Sequence, residues 1–333
     1  MTLLDARGVN VVYTPRRGER IWSVRDVSLS LGEGEFVGIV GESGCGKSTL
    51  GYALTRMLRA PAHLESGLIS FDGVDINSLR GEDLRRMRRG GFALLLQSGM
   101  NALNPVRSVG NHFADILKAH ARDGEKWTKA AVRDHGVNLL EGVGLGGSVL
   151  DRFAHELSGG MRQRVSLALV LALEPRLIVF DEPTTALDVI VQRAVMETIK
   201  KLQRDRGFTA ILISHDLGVV LDSTDRTLIM YAGRIVEDQK TSDLLSGAHH
   251  PYTEALLNCY ADPRAEEVNL YDIPGVPPDL SVDQTGCTFA PRCSYSNEIC
   301  ATVDPSLSPL GKGRVACHVR NQAVVTMNAS HGL

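Results

Sequence analysis

Short apolar runs alternate along this chain with longer polar and amphipathic stretches, and their spacing predicts a sheet with helices around it. Residues 36–40, Phe-Val-Gly-Ile-Val, form a continuous apolar run of strand length, the pattern of a strand buried on both faces. Residues 177–180 (Leu-Ile-Val-Phe) repeat it and end on two adjacent acids, Asp181 and Glu182; residues 210–213 (Ala-Ile-Leu-Ile) lead into Ser214-His215-Asp216. Residues 9–13, 24–31 and 68–75 read as further strands separated by turns bearing Gly or Pro, and predict an antiparallel β subdomain. Residues 227–231 and 234–237 flank Ala232-Gly233, a hairpin signal. Between residues 109 and 156 the sequence turns polar with a helical period, which predicts a helical subdomain over about residues 100–160. Strands alternating with helices imply a mostly parallel core sheet, so the fold class is α/β.

Composition narrows this picture by exclusion. At 333 residues, 43% of them hydrophobic, with a mean hydropathy of −0.04, the chain is expected to be soluble and to hold one large domain plus a smaller appendage. Its longest strictly apolar run, residues 167–173, is far short of the roughly 20 residues that cross a bilayer. Residues 1–10 contain no apolar core of a secretory signal. A formal net charge of −3 argues against a general nucleic-acid binder. Arg85, Arg86, Arg88 and Arg89 form a local basic knot, read as a solvated helix face, with contact to a partner or anionic lipid as the alternative.

The first chemical motif follows the strand at residues 36–40. Gly41-Glu42-Ser43-Gly44-Cys45-Gly46-Lys47-Ser48-Thr49 fits G-x-x-x-x-G-K-[ST], the phosphate loop of nucleoside-triphosphate-binding proteins, in the strand-before, helix-after context that the motif requires. Its glycines let successive backbone N–H groups turn inward around phosphates at the positive end of a helix beginning near Lys47. Lys47 would reach the β- and γ-phosphates and Ser48 would ligate Mg²⁺. Cys45 has two readings, a thiol tuned toward thiolate by the helix terminus or a small space-filler.

About a hundred residues on, Leu157-Ser158-Gly159-Gly160-Met161-Arg162-Gln163 stands just before the strand that ends in Asp181-Glu182. With these segments in this order, the chain resembles the ATP-binding cassette (ABC) family over roughly residues 5–255; Met161 replaces the last residue of the family's LSGGQ signature. The resemblance implies a P-loop NTPase core, with Ser158, Gly159 and Gly160 contacting the γ-phosphate bound to an opposite subunit across a dimer. Asp181 would hold Mg²⁺ and Glu182 would act as base on the attacking water. Gln97 matches the Q-loop glutamine that touches both Mg²⁺ and water, His215 the switch histidine, and Asp188 the D-loop at the dimer interface. Tyr13 occupies the place of the aromatic that stacks on adenine; an ordinary strand aromatic is the alternative. Soluble cassette ATPases of DNA repair or translation usually carry two cassettes or a coiled-coil insertion, and neither is present here.

After about residue 255 the composition becomes Pro-rich and on its own reads as a linker, giving expected domains of 1–254 and 255–333. Phe289-Ala290-Pro291-Arg292-Cys293 and Ala316-Cys317-His318 resemble the tail of the ATPase subunits of oligopeptide, dipeptide and nickel importers. Cys287, Cys293, Cys300 and Cys317 fall within about thirty residues, and in a cytosolic chain such a cluster points to metal ligation before disulfides. No CxxC zinc knuckle is present. Four thiolates at irregular spacing can hold an iron–sulfur cluster, and the resemblance implies [4Fe–4S]; Zn²⁺ and free thiols are the alternatives. It also implies a second, different ABC ATPase subunit, two transmembrane permease subunits, an extracytoplasmic substrate-binding protein acting through them, and a place on the cytoplasmic face of the membrane. Importers of peptides, nickel chelates, opines and oligosaccharides share this subunit type. Asn328-Ala329-Ser330 is a chance match to a glycosylation acceptor.

Overall fold

The computed structural model describes residues 1–97, 103–121, 124–185, 187–259 and 272–320; the acceptor-like triplet at residues 328–330 lies outside them, as does the Arg89 side chain. Twelve strands occur among the described residues. The first six are β1 (Thr2–Tyr13), β2 (Ile21–Gly32), β3 (Phe36–Val40), β4 (Ala62–Phe71), β5 (Val74–Asp75) and β6 (Phe92–Leu95). Then come β7 (Leu177–Asp181), β8 (Thr209–Ser214), β9 (Arg226–Tyr231), β10 (Arg234–Lys240), β11 (Ser308–Leu310) and β12 (Gly313–Val315). The chain divides into two compact units. Unit 1 comprises Met1–Leu3, Leu31–Glu35 and Phe71–Ile211, and unit 2 comprises Leu4–Ser30, Phe36–Ser70 and the residues from Leu212 on.

Unit 2 holds the phosphate-loop strand. All five residues of β3 are buried, as its unbroken apolar run requires, and β3 lies parallel to β9, with Val37 opposite Arg226 and Val40 opposite Ile229. Strand β9 turns back into β10 through Ala232 and Gly233, whose φ values of 47° and 84° are the two left-handed positions of a type I′ hairpin turn. β10 runs on to Lys240, past the expected residue 237, with a bulge between Ile235 and Glu237. β2, β1 and β4 are successive neighbours in a second, four-stranded sheet. The run expected at residues 68–75 divides: β4 starts at Ala62, and Asp72 and Gly73, both at positive φ, form the turn that separates it from β5.

The Pro-rich tail does more than link. Strand β12 pairs antiparallel with β10, Glu237 opposite Val315, and β11 pairs with β12 in turn. Val315, Leu310 and Cys317 bury a small apolar cluster beside it. Asp238, 4% exposed, takes a two-pronged contact from Arg226 (2.6 and 2.8 Å) and a further one from Arg314 Nε at 3.0 Å, so the tail is also held by charge.

In unit 1, β6 and β7 are parallel neighbours, Phe92 opposite Leu177 and Leu95 opposite Phe180. The expected helical subdomain consists of helices Val109–Ala119 and Lys129–Gly142, packed on each other and on the helix Gly159–Leu171, around buried Phe113, Leu117, Leu139, Leu140 and Leu150. Ser108, Thr128 and Ser158 cap the three helices through their hydroxyls, which accept backbone N–H groups three residues on. The basic knot lies on helix Gly81–Gly90, where Arg85 and Arg86 both reach Glu82 at 2.7 and 3.3 Å on an exposed face. Exposed pairs of this kind contribute little to stability, which fits the solvated-face reading.

The Asp238 pair yields a stability test. Burial raises its carboxyl pKa, but Arg226 and Arg314 outweigh burial and hold the group below the ordinary carboxylate range. Its contribution is therefore complete above the unfolded value of about 3.9 and is lost as pH falls through the lowered native value. Asp238→Asn leaves the two guanidinium groups without their counter-charge and should cost about 3 kcal/mol at neutral pH. Thermal melts should show a drop of several degrees that shrinks in acid.

Candidate functional site

In unit 2 the chain leaves β3 at Val40, forms the loop 41–46 and enters helix Lys47–Leu54. Two glycines of the loop are forced by close packing. A Cβ on Gly41 would lie 2.0 Å from the carbonyl oxygen of Met230, and one on Gly46 (φ 104°) would lie 2.0 Å from that of Ser23. Gly44, at φ 80°, has nothing within 4 Å of its Cβ position, so the exposed turn at Ser43-Gly44 opens onto free space. Loop backbone at the start of a helix is an arrangement that favours an anion.

Lys47 is 5% exposed and its Nζ donates to the carbonyls of Gly41 (2.7 Å) and Glu42 (2.9 Å) within the loop. The Cys45 thiol lies 3.8 Å from that Nζ, yet burial outweighs the lysine and pushes the thiol up. Burial, the larger effect, favours the neutral thiol of a space-filler over a thiolate. Ser48 is half-buried in the first turn of the helix. Thr49, one residue on, receives the Ser23 hydroxyl at 3.1 Å and shares a hydrogen bond with the Tyr13 hydroxyl at 3.0 Å. Tyr13 is thereby tied to the phosphate-loop helix. His215 is exposed between β8 and helix Leu217–Ser223, whose N-cap Asp216 accepts from Val219 N at 3.2 Å.

Unit 1 carries the acids. Asp181, at the end of β7, is 1% exposed. Glu182 follows with φ 47°, a left-handed conformation rare for a residue with a side chain and recurrent at functional sites. Its Oε2 accepts from Gln97 Nε2 at 3.1 Å and from Thr185 Oγ1 at 2.8 Å, so the two expected catalytic residues of this unit are in direct contact. Gln163, buried in the helix that follows the signature, donates to the Pro183 carbonyl and fixes the turn after Glu182. Ser158 Oγ caps that helix by accepting from Met161 N at 3.3 Å, with Gly159 and Gly160 as its first residues. Gly160 is required by its neighbour, since a Cβ there would lie 2.7 Å from Val191 Cγ1. Asp188 caps helix Val189–Arg206, accepting from Val191 N at 2.9 Å, and the apolar Val189 and Ile190 beside it are 82% and 83% exposed.

The tail supplies contacts that the sequence reading missed. Tyr252 is fully buried, and its hydroxyl accepts from Glu42 N, inside the phosphate loop, at 2.9 Å. Arg292 meets the Glu42 carboxylate with both terminal nitrogens, at 2.8 and 3.0 Å. Arg292 lies in the segment noted above at residues 289–293, whereas Tyr252 lies in one that was given no role; an acid inside the phosphate-loop motif was the available signal. His250, buried beside Phe289, is kept neutral, its pKa pushed down to about 3 by burial.

The four tail cysteines share one region. Cys287 N donates to Cys300 O at 2.8 Å, and Cys300 and Cys317 are both buried, 6% exposed each. Burial raises the Cys287 thiol to about 11 and lifts Cys293 and Cys317 above the ordinary value. Among the described residues, no three Cys, His, Asp or Glu groups stand close enough together to hold a metal ion.

Residues 24–185 match the family described as ABC transporter, and residues 236–300 match the C-terminal region of oligopeptide/dipeptide transporters. The dipeptide transport ATP-binding protein DppD of Haemophilus influenzae is 37% identical over 320 residues, 96% of each chain. The oligopeptide transport ATP-binding protein OppD of Escherichia coli is 37% identical over 95% of this chain and 92% of its own. Among solved structures, the dimeric post-hydrolysis state of the ATP-binding cassette MJ0796 with ADP and Pi superposes with a TM-score of 0.64 at 27% identity, over 72% of this chain and 99% of the cassette. With the phosphate loop, the capped signature helix and the Gln97–Glu182 contact all in place, the chain belongs to the ABC transporter ATPases, as a member with the oligopeptide/dipeptide transporter C-terminal region.

Proposed function

We propose that this chain energises the import of di- or oligopeptides from the cytoplasmic face of a membrane. In this reading it works with a second, different ABC ATPase subunit, two permease subunits and an extracytoplasmic substrate-binding protein. The observation that carries the reading is the C-terminal region at residues 236–300, joined to near end-to-end similarity with dipeptide and oligopeptide transport subunits. No described helix is long and apolar enough to cross a membrane, so permease chains would supply the path. The exposed Val189 and Ile190, next to the signature helix, suit burial against a second cassette. Uptake of labelled dipeptide by cells lacking this gene tests the cargo; normal peptide uptake with loss of nickel-chelate, opine or oligosaccharide uptake would reassign it.

The residues divide the chemistry between them. Backbone N–H groups of residues 41–46 and Lys47 bind the phosphates, and Tyr13 stacks on adenine. Ser48, Asp181 and Gln97 would hold Mg²⁺, which neutralises charge on the β- and γ-oxygens. Glu182, steadied by Gln97 and Thr185, takes a proton from the attacking water. His215 contacts the γ-phosphate. Ser158, Gly159 and Gly160 complete the partner's site, and Asp188 lies at the interface. Glu182→Gln keeps the shape of the site but removes the base, so ATPase activity of the assembled transporter should fall at least about a hundredfold while ATP is still retained. Turnover within about twofold of wild type would remove Glu182 from this role.

The four tail cysteines would hold an iron–sulfur cluster. The backbone bond from Cys287 to Cys300 and the burial of Cys300 and Cys317 support a shared site, with Zn²⁺ as the alternative occupant. The cluster would brace a tail of small apolar content. Anaerobically purified protein should show broad visible absorption and about four irons per chain, lost on changing any one of Cys287, Cys293, Cys300 or Cys317 to Ser. About one zinc per chain would replace the cluster with a zinc site, and absence of metal would exclude both.

A further inference from the structure

Glu42 is the second residue of the phosphate loop, and it is held at three points. Its N–H donates to the Tyr252 hydroxyl, its carbonyl accepts from Lys47 Nζ, and its carboxylate takes the fork of Arg292. Two of the three anchors come from the C-terminal part of the chain. Arg292 is itself set before it meets Glu42: its Nε donates to the Pro274 carbonyl at 2.8 Å, one terminal nitrogen reaches Ile273 O and the other Tyr231 OH, each at 3.3 Å. Its guanidinium lies 5.8 Å from the centre of the Tyr231 ring, and Tyr231 packs on Tyr252 and Phe289 at 4.6 and 5.3 Å. The Arg292 side chain is 5% exposed and that of Glu42 24%, so water and salt screen this pair far less than a surface pair.

We propose that Arg292 is a positioning residue for ATP binding, which fixes the phosphate loop through Glu42 and cancels the negative charge that Glu42 would otherwise set beside the triphosphate. Lys47 hydrogen-bonds to the backbone of this same residue, so a Glu42 released from its fork displaces the carbonyl that orients the phosphate-binding lysine. A fixed two-pronged partner also limits the backbone freedom that the loop's glycines allow. Charge and geometry act in the same direction: both weaken ATP binding when Arg292 is lost, without touching the base Glu182.

A purely structural strut and a positioning role differ in what they move. The readouts are equilibrium binding of MgATP to the full-length chain and, in the assembled transporter, KM and kcat. Arg292→Gln should weaken ATP binding and raise KM about tenfold with kcat within about twofold, the size expected when one partly buried charge is left unopposed. Glu42→Gln should act in the opposite sense: its amide oxygen still accepts from Arg292, so the loop stays held, while the negative charge beside the triphosphate is gone and the guanidinium charge is unopposed, tightening ATP binding severalfold. The double variant Glu42→Gln, Arg292→Gln should return to within about threefold of wild type. Unchanged affinity in Arg292→Gln, or a double variant no better than it, would overturn the inference. If Arg292→Gln does not fold, Glu42→Gln decides alone, and affinity that is unchanged or weaker refutes the proposal. The inference rests on residues 41–49 being the nucleotide site, and Lys47→Ala separates the two: wild-type ATP binding there would overturn that assignment, whereas its loss with normal binding in Arg292→Gln would overturn only the role of Arg292.

Discussion

Everything in unit 2 depends on how closely the phosphate loop lies against its neighbours. The backbone at Gly41 touches Met230 and that at Gly46 touches Ser23, at distances that no side chain could share. A loop that must present bare N–H groups to phosphates needs a rigid support, because glycine supplies none of its own. β9, paired parallel with β3, and the Ala232-Gly233 turn supply it; the turn binds back to the loop, with Gly233 N donating to Cys45 O at 2.9 Å. The hairpin is thus part of the support of the phosphate-loop motif although it carries none of that motif's residues.

A second demand comes from buried charge. β10 places Glu237 and Asp238 in succession, one 0% and the other 4% exposed, and each has to be satisfied inside the protein. Asp238 is answered by arginines from β9 and β12. Glu237 accepts the backbone N–H groups of His249 and His250 at 2.7 and 2.9 Å, which fixes the start of helix Pro251–Cys259 and so the direction in which Tyr252 points. The two acids therefore hold down both the C-terminal strands and the tyrosine that meets the phosphate loop.

The nucleotide motifs were legible in the sequence because their chemistry is local. A loop that wraps phosphates, a strand that ends in Asp181-Glu182, and a serine that caps a helix each need fixed residue types at fixed short spacings. The Ala232-Gly233 hairpin was legible for the same reason. The run at residues 68–75 was read as one strand although Asp72-Gly73, a residue pair suited to two left-handed positions, interrupts it with a turn. Cys45 depended on burial against the helix terminus and the nearby lysine, a balance that needs coordinates. β11 and β12 are three residues each, too short to leave a periodic signal, and exist through pairing with β10. The Glu42–Arg292 fork joins positions 250 residues apart, and no spacing rule reaches across that distance.

That fork makes two distant stretches of sequence a single unit of inheritance. A shortened gene ending after Cys259 would still encode the phosphate loop, the signature and both acids, and a motif search would report a complete cassette. Its Glu42 would nonetheless carry a charge that nothing opposes from residue 292. Exchange of tails between such subunits is therefore a change to their phosphate loops, and a graft keeps the original loop only when it brings an arginine to the same place.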